Sequence, residues 1–296
     1  MGNLTPTQYD RLHNLIRRSP VFSGMRVVVH DDRVEVLEPE ELELGFGPVY
    51  NAVEGAPMSE WAELVDDCLE RMIKAVTSDS SELDGPTDEL LNRIYARVRP
   101  IDGSPVGWWN YAREIAPGLL LVLALDYPDH IAILNDDQVR RHDFDRLAEA
   151  GLDNLCGRLP ERFASFEGVH LLRGNDYVAS TVLVMPWVVE VVTGAPECPY
   201  GTLVAMPNHG TLVFHVLHDA VAAGAAMREI AEVAAEYYEE SAVSGPAQVS
   251  RHVYWWRPEA GYLEPVAYHA AEGAGVIGDN LVTDYSPEFA DLLDTL

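Results

Sequence analysis

The chain has 296 residues, 48% of them hydrophobic, enough apolar material for one large or two medium domains. Forty-eight Asp and Glu against 20 Lys and Arg leave a formal net charge of −28 at pH 7, and that field repels phosphate backbones and anionic headgroups, so it argues against nucleic-acid and membrane binding. Cys68, Cys156 and Cys198 share no C-x-x-C spacing, which excludes a disulfide framework and suits a reducing, cytoplasmic compartment.

The opening residues, MGNLTPTQYD, lack a basic segment followed by an apolar one, so no signal peptide is expected. A short helix is predicted over 7–18, ended by Pro20. Two valine-rich runs, 26–30 and 33–37, flank Asp31-Asp32 and read as a hairpin. The clearest helix is 59–76, where Trp61, Leu64, Val65, Cys68, Leu69, Met72 and Ile73 recur at spacings of three and four. A second helix is expected over 87–92. In 93–99, Arg93, Tyr95, Arg97 and Arg99 alternate with Ile94, Ala96 and Val98, the pattern of an amphipathic strand.

The segment 100–107, PIDGSPVG, is the best candidate boundary. It divides the chain into an N-terminal α+β region (1–99), a Pro/Gly linker (100–107), a C-terminal α+β domain (108–272) and a loosely packed tail (273–296). Past the linker, a helix over 108–116 is followed by strands at 119–126 and 130–134. The run Leu119 to Leu125 is too short to span a bilayer. Asp143 can cap a helix with Phe144, Leu147, Ala148, Leu152 and Leu155 on one face. Strand pairs are expected at 169–173 with 177–185, and at 202–206 with 211–217. A helix opened by Pro186 lies between them, and Asp219 caps another that runs to about Glu240. Its small residues, 222–226, let a neighbouring element approach closely. A further strand is expected at 253–257. Hairpins separated by helices give an α+β fold, mainly antiparallel sheet built from strand pairs with helices packed to one side.

Gly273, Gly275 and Gly278 match G-x-G-x-x-G, but only 18 residues remain for the helix, strand and acidic residue that a dinucleotide site needs, so a flexible turn is the better reading. The densest titratable group is His209, His215 and His218 with Asp219. Imidazoles and a carboxylate suit zinc, yet His218 falls on the opposite strand parity from the other two, and Asp219 is wanted as a helix cap. His142, Asp143 and Asp145 sit at a helix start, where the aspartates read as cap and first-turn residues. Ser180 lies in an expected strand with no nucleophile elbow around it. In Trp255-Trp256, consecutive strand residues face opposite ways, so one could stand at an interface.

Four motifs, LALDYPDHIAILNDDQV, EAGLDNL, GVHLLRGNDYVAST and GTLVAMPNHGTLVFHV, follow one another in the order found in a bacterial family of unknown function. Over roughly Leu90 to Tyr268 the chain resembles this YtpQ-like family. The resemblance implies a cytosolic bacterial α+β protein and assigns no residue a role. The leading functional expectation is a non-enzymatic protein-interaction module, chaperone-like or immunity-like, with a basic protein partner and no cofactor. The alternative is a metal-dependent enzyme using His209, His215 and His218. Oligomeric state stays open.

Overall fold

The computed structural model describes residues 5–30, 33–38, 42–53, 56–77, 87–101, 109–127, 131–195, 197–243, 246–258, 260–270 and 280–296. The 273–278 glycine motif, the Asp31-Asp32 turn, Trp108 and almost all of the proposed linker lie outside those residues.

Thr5 starts α1 (Pro6–Arg18) with a reciprocal capping box to Gln8. The strands β1 (Arg26–Val29), β2 (Arg33–Glu38) and β3 (Leu42–Gly45) follow as an antiparallel meander. The helices α2 (Gly47–Val53) and α3 (Trp61–Thr77) complete this part. The apolar stripe of α3 contributes Trp61, Val65, Cys68 and Leu69 to a core shared with Leu12, Ile16, Val34, Val36 and Phe46.

A second core begins at Leu90, in α4 (Thr87–Leu91). Here β4 (Ile94–Pro100) pairs along its whole length with β6 (Leu119–Asp126). The opposite edge of β6 is shared by β5 (Arg113–Ala116) and β7 (Ile131–Ile133). The expected boundary at 100–107 therefore does not separate two cores, because β4 on one side of it belongs to the sheet on the other. Residues 113–116 are a strand rather than the end of the expected helix. Arg-Glu-Ile-Ala does not alternate, its first two residues being exposed and its last two buried, but β6 has a free edge there and pairing with it outweighs local preference. After α5 (Asp136–Arg140), α6 (Phe144–Leu155) is capped by Asp143, which accepts from the Asp145 and Arg146 amides. It lies so close to β4 that a Cβ on Gly151 would sit 2.7 Å from the Ala96 nitrogen.

The largest sheet contains β8 (Arg162–Phe166), β9 (Val169–Arg173), β10 (Thr202–Ala205), β11 (Thr211–Val216), β12 (His252–Trp256), β13 (Glu264–His269) and β14 (Leu281–Thr283). It is antiparallel throughout, in the order β14-β13-β12-β10-β11-β9-β8. Residues 177–185 do not pair with β9, whose two edges are already filled by β8 and β11. They form a 3-10 helix, Ala179–Val184, leading into α7 (Met185–Thr193), which ends at the left-handed Gly194. α8 (Ala220–Val243) packs on one face of the sheet through Ala223, Met227, Ile230 and Ala234. Residues on the opposite face, such as Phe214 and Tyr254, share a core with the 3-10 helix, α7 and the β4–β6 sheet. The architecture is α+β with mainly antiparallel sheet. Both Trp255 and Trp256 are buried, so neither offers an interface.

The stretch 280–296 is not loose. β14 extends the sheet, and α9 (Pro287–Thr295), capped by Ser286, inserts a fully buried Phe289 against Trp255 at 5.0 Å between ring centroids. Among the described residues no helix is long and apolar enough to cross a membrane.

Candidate functional site

The three histidines singled out in the sequence do not meet. His209 lies in the β10–β11 turn and His215 near the far end of β11. The four strand steps from Thr211 to His215 alone span roughly 13 Å. His215 and His218 line one cleft, where the third imidazole is His170 on β9, not His209. Among the described residues no group of three His, Cys, Asp or Glu side chains is arranged to hold a metal ion. Asp219 caps α8, accepting from the Ala222 amide at 2.8 Å. Ser180 is fully buried and accepts from the Val98 amide at 3.1 Å, satisfying the edge of β4.

The cleft has a volume of about 450 Å³ and lies between α7 and the outer end of the large sheet. Phe163, His170, Val189, Val192, His215 and Glu197 are among its walls. Its rim is β8, the terminal strand of the sheet, and every residue from Glu161 to Gly168 is exposed. Phe163 and Phe166 are 53% and 66% exposed, unusual for two phenylalanines on a strand whose outer edge is unpaired among the described residues. Phe163 and Ser165 face the cleft, Ser165 meeting His170 Nδ1 at 3.0 Å, while Phe166 falls on the α8 side.

The hairpin joining β8 to β9 turns through Glu167 and Gly168, both with positive φ (47° and 80°), the requirement of a tight primed turn. Gly168 also accepts a 2.8 Å hydrogen bond at its carbonyl from His215 Nδ1. That bond places the proton on Nδ1 and leaves His215 Nε2 buried without a partner among the described residues. Burial holds both His170 and His215 below the ordinary imidazole pKa. Sequence reading missed β8 because Arg-Phe-Ala-Ser-Phe carries no buried face. The signal present was Glu-Gly between two alternating runs, a weaker hairpin sign than Asn-Gly.

A second feature is buried. The polar face of β4 is covered by 174–178 and the β10–β11 turn. Arg97 is 5% exposed and donates from Nη2 to the Asp176 carbonyl at 2.9 Å, with its guanidinium 5.2 Å from the Tyr177 ring centroid. Arg99 reaches His209, 3% exposed, with Nη1 3.5 Å from Nε2. A guanidinium can only donate, so Nε2 is the acceptor and the neutral ring carries its proton on Nδ1. Burial, reinforced by the charges of Arg97 and Arg99, keeps His209 neutral, its pKa well below the usual value. The Nε–H of Arg97, the Nε–H of Arg99 and the Nδ1–H of His209 are all buried with no acceptor among the described residues.

Two half-buried arginines elsewhere in the chain do have carboxylate partners, although the Nε–H of Arg257 also lacks an acceptor among the described residues. Arg158 pairs with Asp126, which also accepts from the Tyr177 hydroxyl, and Arg257 pairs with Glu288. Neither Arg97 nor Arg99 ion-pairs with a described carboxylate. An unmet buried donor costs about 1–3 kcal/mol. Three together would approach the whole stability of a typical domain, about 5–15 kcal/mol, so acceptors are required beside them.

Comparison with protein-family models, with curated proteins and with solved structures finds no match.

Proposed function

We propose that this chain is a non-enzymatic protein-interaction module, chaperone-like or immunity-like, working in the cytoplasm. Its docking edge is β8 with the adjoining cleft, and its partner is an extended, basic segment of another protein. The exposed Phe163 and Phe166 on a sheet edge that no described strand pairs carry this reading. Such an edge accepts an added strand through main-chain hydrogen bonds, with alternate side chains seated beside it. Charge selects the partner: the whole chain carries −28, and Glu161, Glu167 and Glu197 stand along β8 and the cleft. The same field disfavours nucleic acid and anionic membrane as ligands. Likeness to the YtpQ-like family adds only a bacterial, cytosolic setting to this proposal.

The test is a titration with a labelled peptide of alternating Lys and Val, followed by fluorescence anisotropy and by hydrogen exchange at 161–168. Saturable binding with new protection in β8 is expected, with a Glu-Val peptide silent. Phe163→Asp combined with Phe166→Asp should lower affinity at least tenfold. Binding that ignores these substitutions, or leaves β8 amides unprotected, refutes the proposal.

A further inference from the structure

The buried arginines lie away from the β8 edge and their role is independent of it. In a chain with more than twice as many acids as bases, an arginine entering the interior would be expected to find a carboxylate. Arg158 and Arg257 do. Arg97 and Arg99 instead meet a backbone carbonyl, an aromatic face and a neutral imidazole. Asp176 acts on both guanidinium groups and Asp126 on Arg97 through space, without an ion pair to either, so the two cations are offset only at a distance and their Nε–H donors stay unmatched among the described residues. Water would supply acceptors for the orphaned N–H groups but no charge. A small anion supplies both.

Spacing is consistent with one bound group. Arg97 and Arg99 share a face of β4, so their Cβ atoms stand about 7 Å apart, a gap that one tetrahedral or planar oxyanion can bridge. His209 reaches the same place from the β10–β11 turn, its backbone fixed by bonds from the His209 amide to the Ala247 carbonyl and from the Ala179 amide to the His209 carbonyl. Its neutral ring can donate to an anion from Nδ1 while accepting from Arg99 at Nε2.

We propose that Arg97, Arg99 and His209 form a binding site for a small oxyanion, either a phosphate group or a carboxylate. The two guanidinium groups provide charge and planar donor pairs, the geometry suited to both classes. The imidazole adds one neutral donor.

The experiment is thermal unfolding of the full chain in increasing inorganic phosphate, acetate and chloride, at matched ionic strength so that screening of the −28 charge cancels. A saturable rise in melting temperature with phosphate or acetate over chloride is expected, of roughly 5 °C at a hundred times the dissociation constant. Phosphate exceeding acetate identifies a phosphoryl group, and the reverse identifies a carboxylate. Arg99→Gln, near the end of β4, should weaken the response at least tenfold. Arg113→Gln, at an exposed arginine of the same sheet, should leave it intact. Arg97→Gln is the stricter variant. If it fails to fold, Arg99→Gln decides. Equal stabilisation by all three salts, or an Arg99→Gln response matching the parent, overturns the proposal and leaves the donors to water.

Discussion

Two glycines inside helices should respond to alanine with opposite signs. Gly151 sits in α6 against β4, and a Cβ there would stand 2.7 Å from the Ala96 nitrogen and 3.1 Å from the Tyr95 carbonyl carbon. Gly224 sits in α8, where a Cβ meets nothing within 4 Å among the described residues. Alanine is favoured over glycine in a helix by about 1 kcal/mol, so both substitutions begin with the same gain. At Gly224 nothing opposes it, and Gly224→Ala should stabilise by about 0.5–1 kcal/mol. At Gly151 the obstacle is strand backbone, which cannot rotate away, and overpacking of this kind costs about 1–3 kcal/mol. The upper end applies to a contact below 3 Å, so Gly151→Ala should lose about 1–2 kcal/mol net. Urea unfolding followed by circular dichroism reads both, as midpoints moving in opposite directions with unchanged slopes. A neutral or stabilising Gly151→Ala would show that α6 does not rest on β4 as described.

Phe289→Ala should cost about 3–5 kcal/mol, since it removes a fully buried ring packed on Trp255, and calorimetry would check it; a loss under 1 kcal/mol would mean that α9 is not docked. Acid should destabilise the protein through His209. The unfolded ring protonates near pH 6.5 and the folded one only well below it, so the unfolded state binds the extra proton as pH falls through 6.5. The histidine contribution is complete above that point and declines below it, by up to about 1.4 kcal/mol per pH unit. His209→Gln should flatten the slope of unfolding free energy between pH 6.5 and 5 by that amount. Gly201→Ala should destabilise more than Gly151→Ala: φ is +81° and a Cβ would fall 2.0 Å from the Trp256 carbonyl oxygen. Thermal melts of the two variants rank them.

Elements with a buried stripe were legible in the sequence. α3 announces itself through apolar residues at three and four, β6 through seven consecutive apolar residues, and α6 through Asp143 followed by an amphipathic run. What failed depended on partners that no local pattern encodes. The run 177–185 is apolar enough for a strand, but β9 has no free edge to receive it. Residues 113–116 become a strand because β6 has an edge to fill. β8 was invisible because both its faces meet solvent. Alternation marked β4 as amphipathic correctly, yet it could not tell that the arginine face is roofed by the 174–178 segment and the β10–β11 turn. The histidine group was misjudged by distance in sequence: His215 and His218 line one cleft, while the imidazole that joins them there, His170, comes from a neighbouring strand and His209 turns away toward Arg99.

The order of strands across the large sheet has a consequence for how the chain is made. β10 is flanked by β11, which follows at once, and by β12, which arrives only after α8. On the ribosome its second margin therefore stays bare for about 50 residues of synthesis, roughly 3–10 s at ordinary elongation rates. Four apolar or small side chains, Thr202 to Ala205, are uncovered during that interval. Crowded nascent chains would be most prone to stick together there, and slowing translation between 206 and 252 should lower the soluble yield without altering the finished molecule.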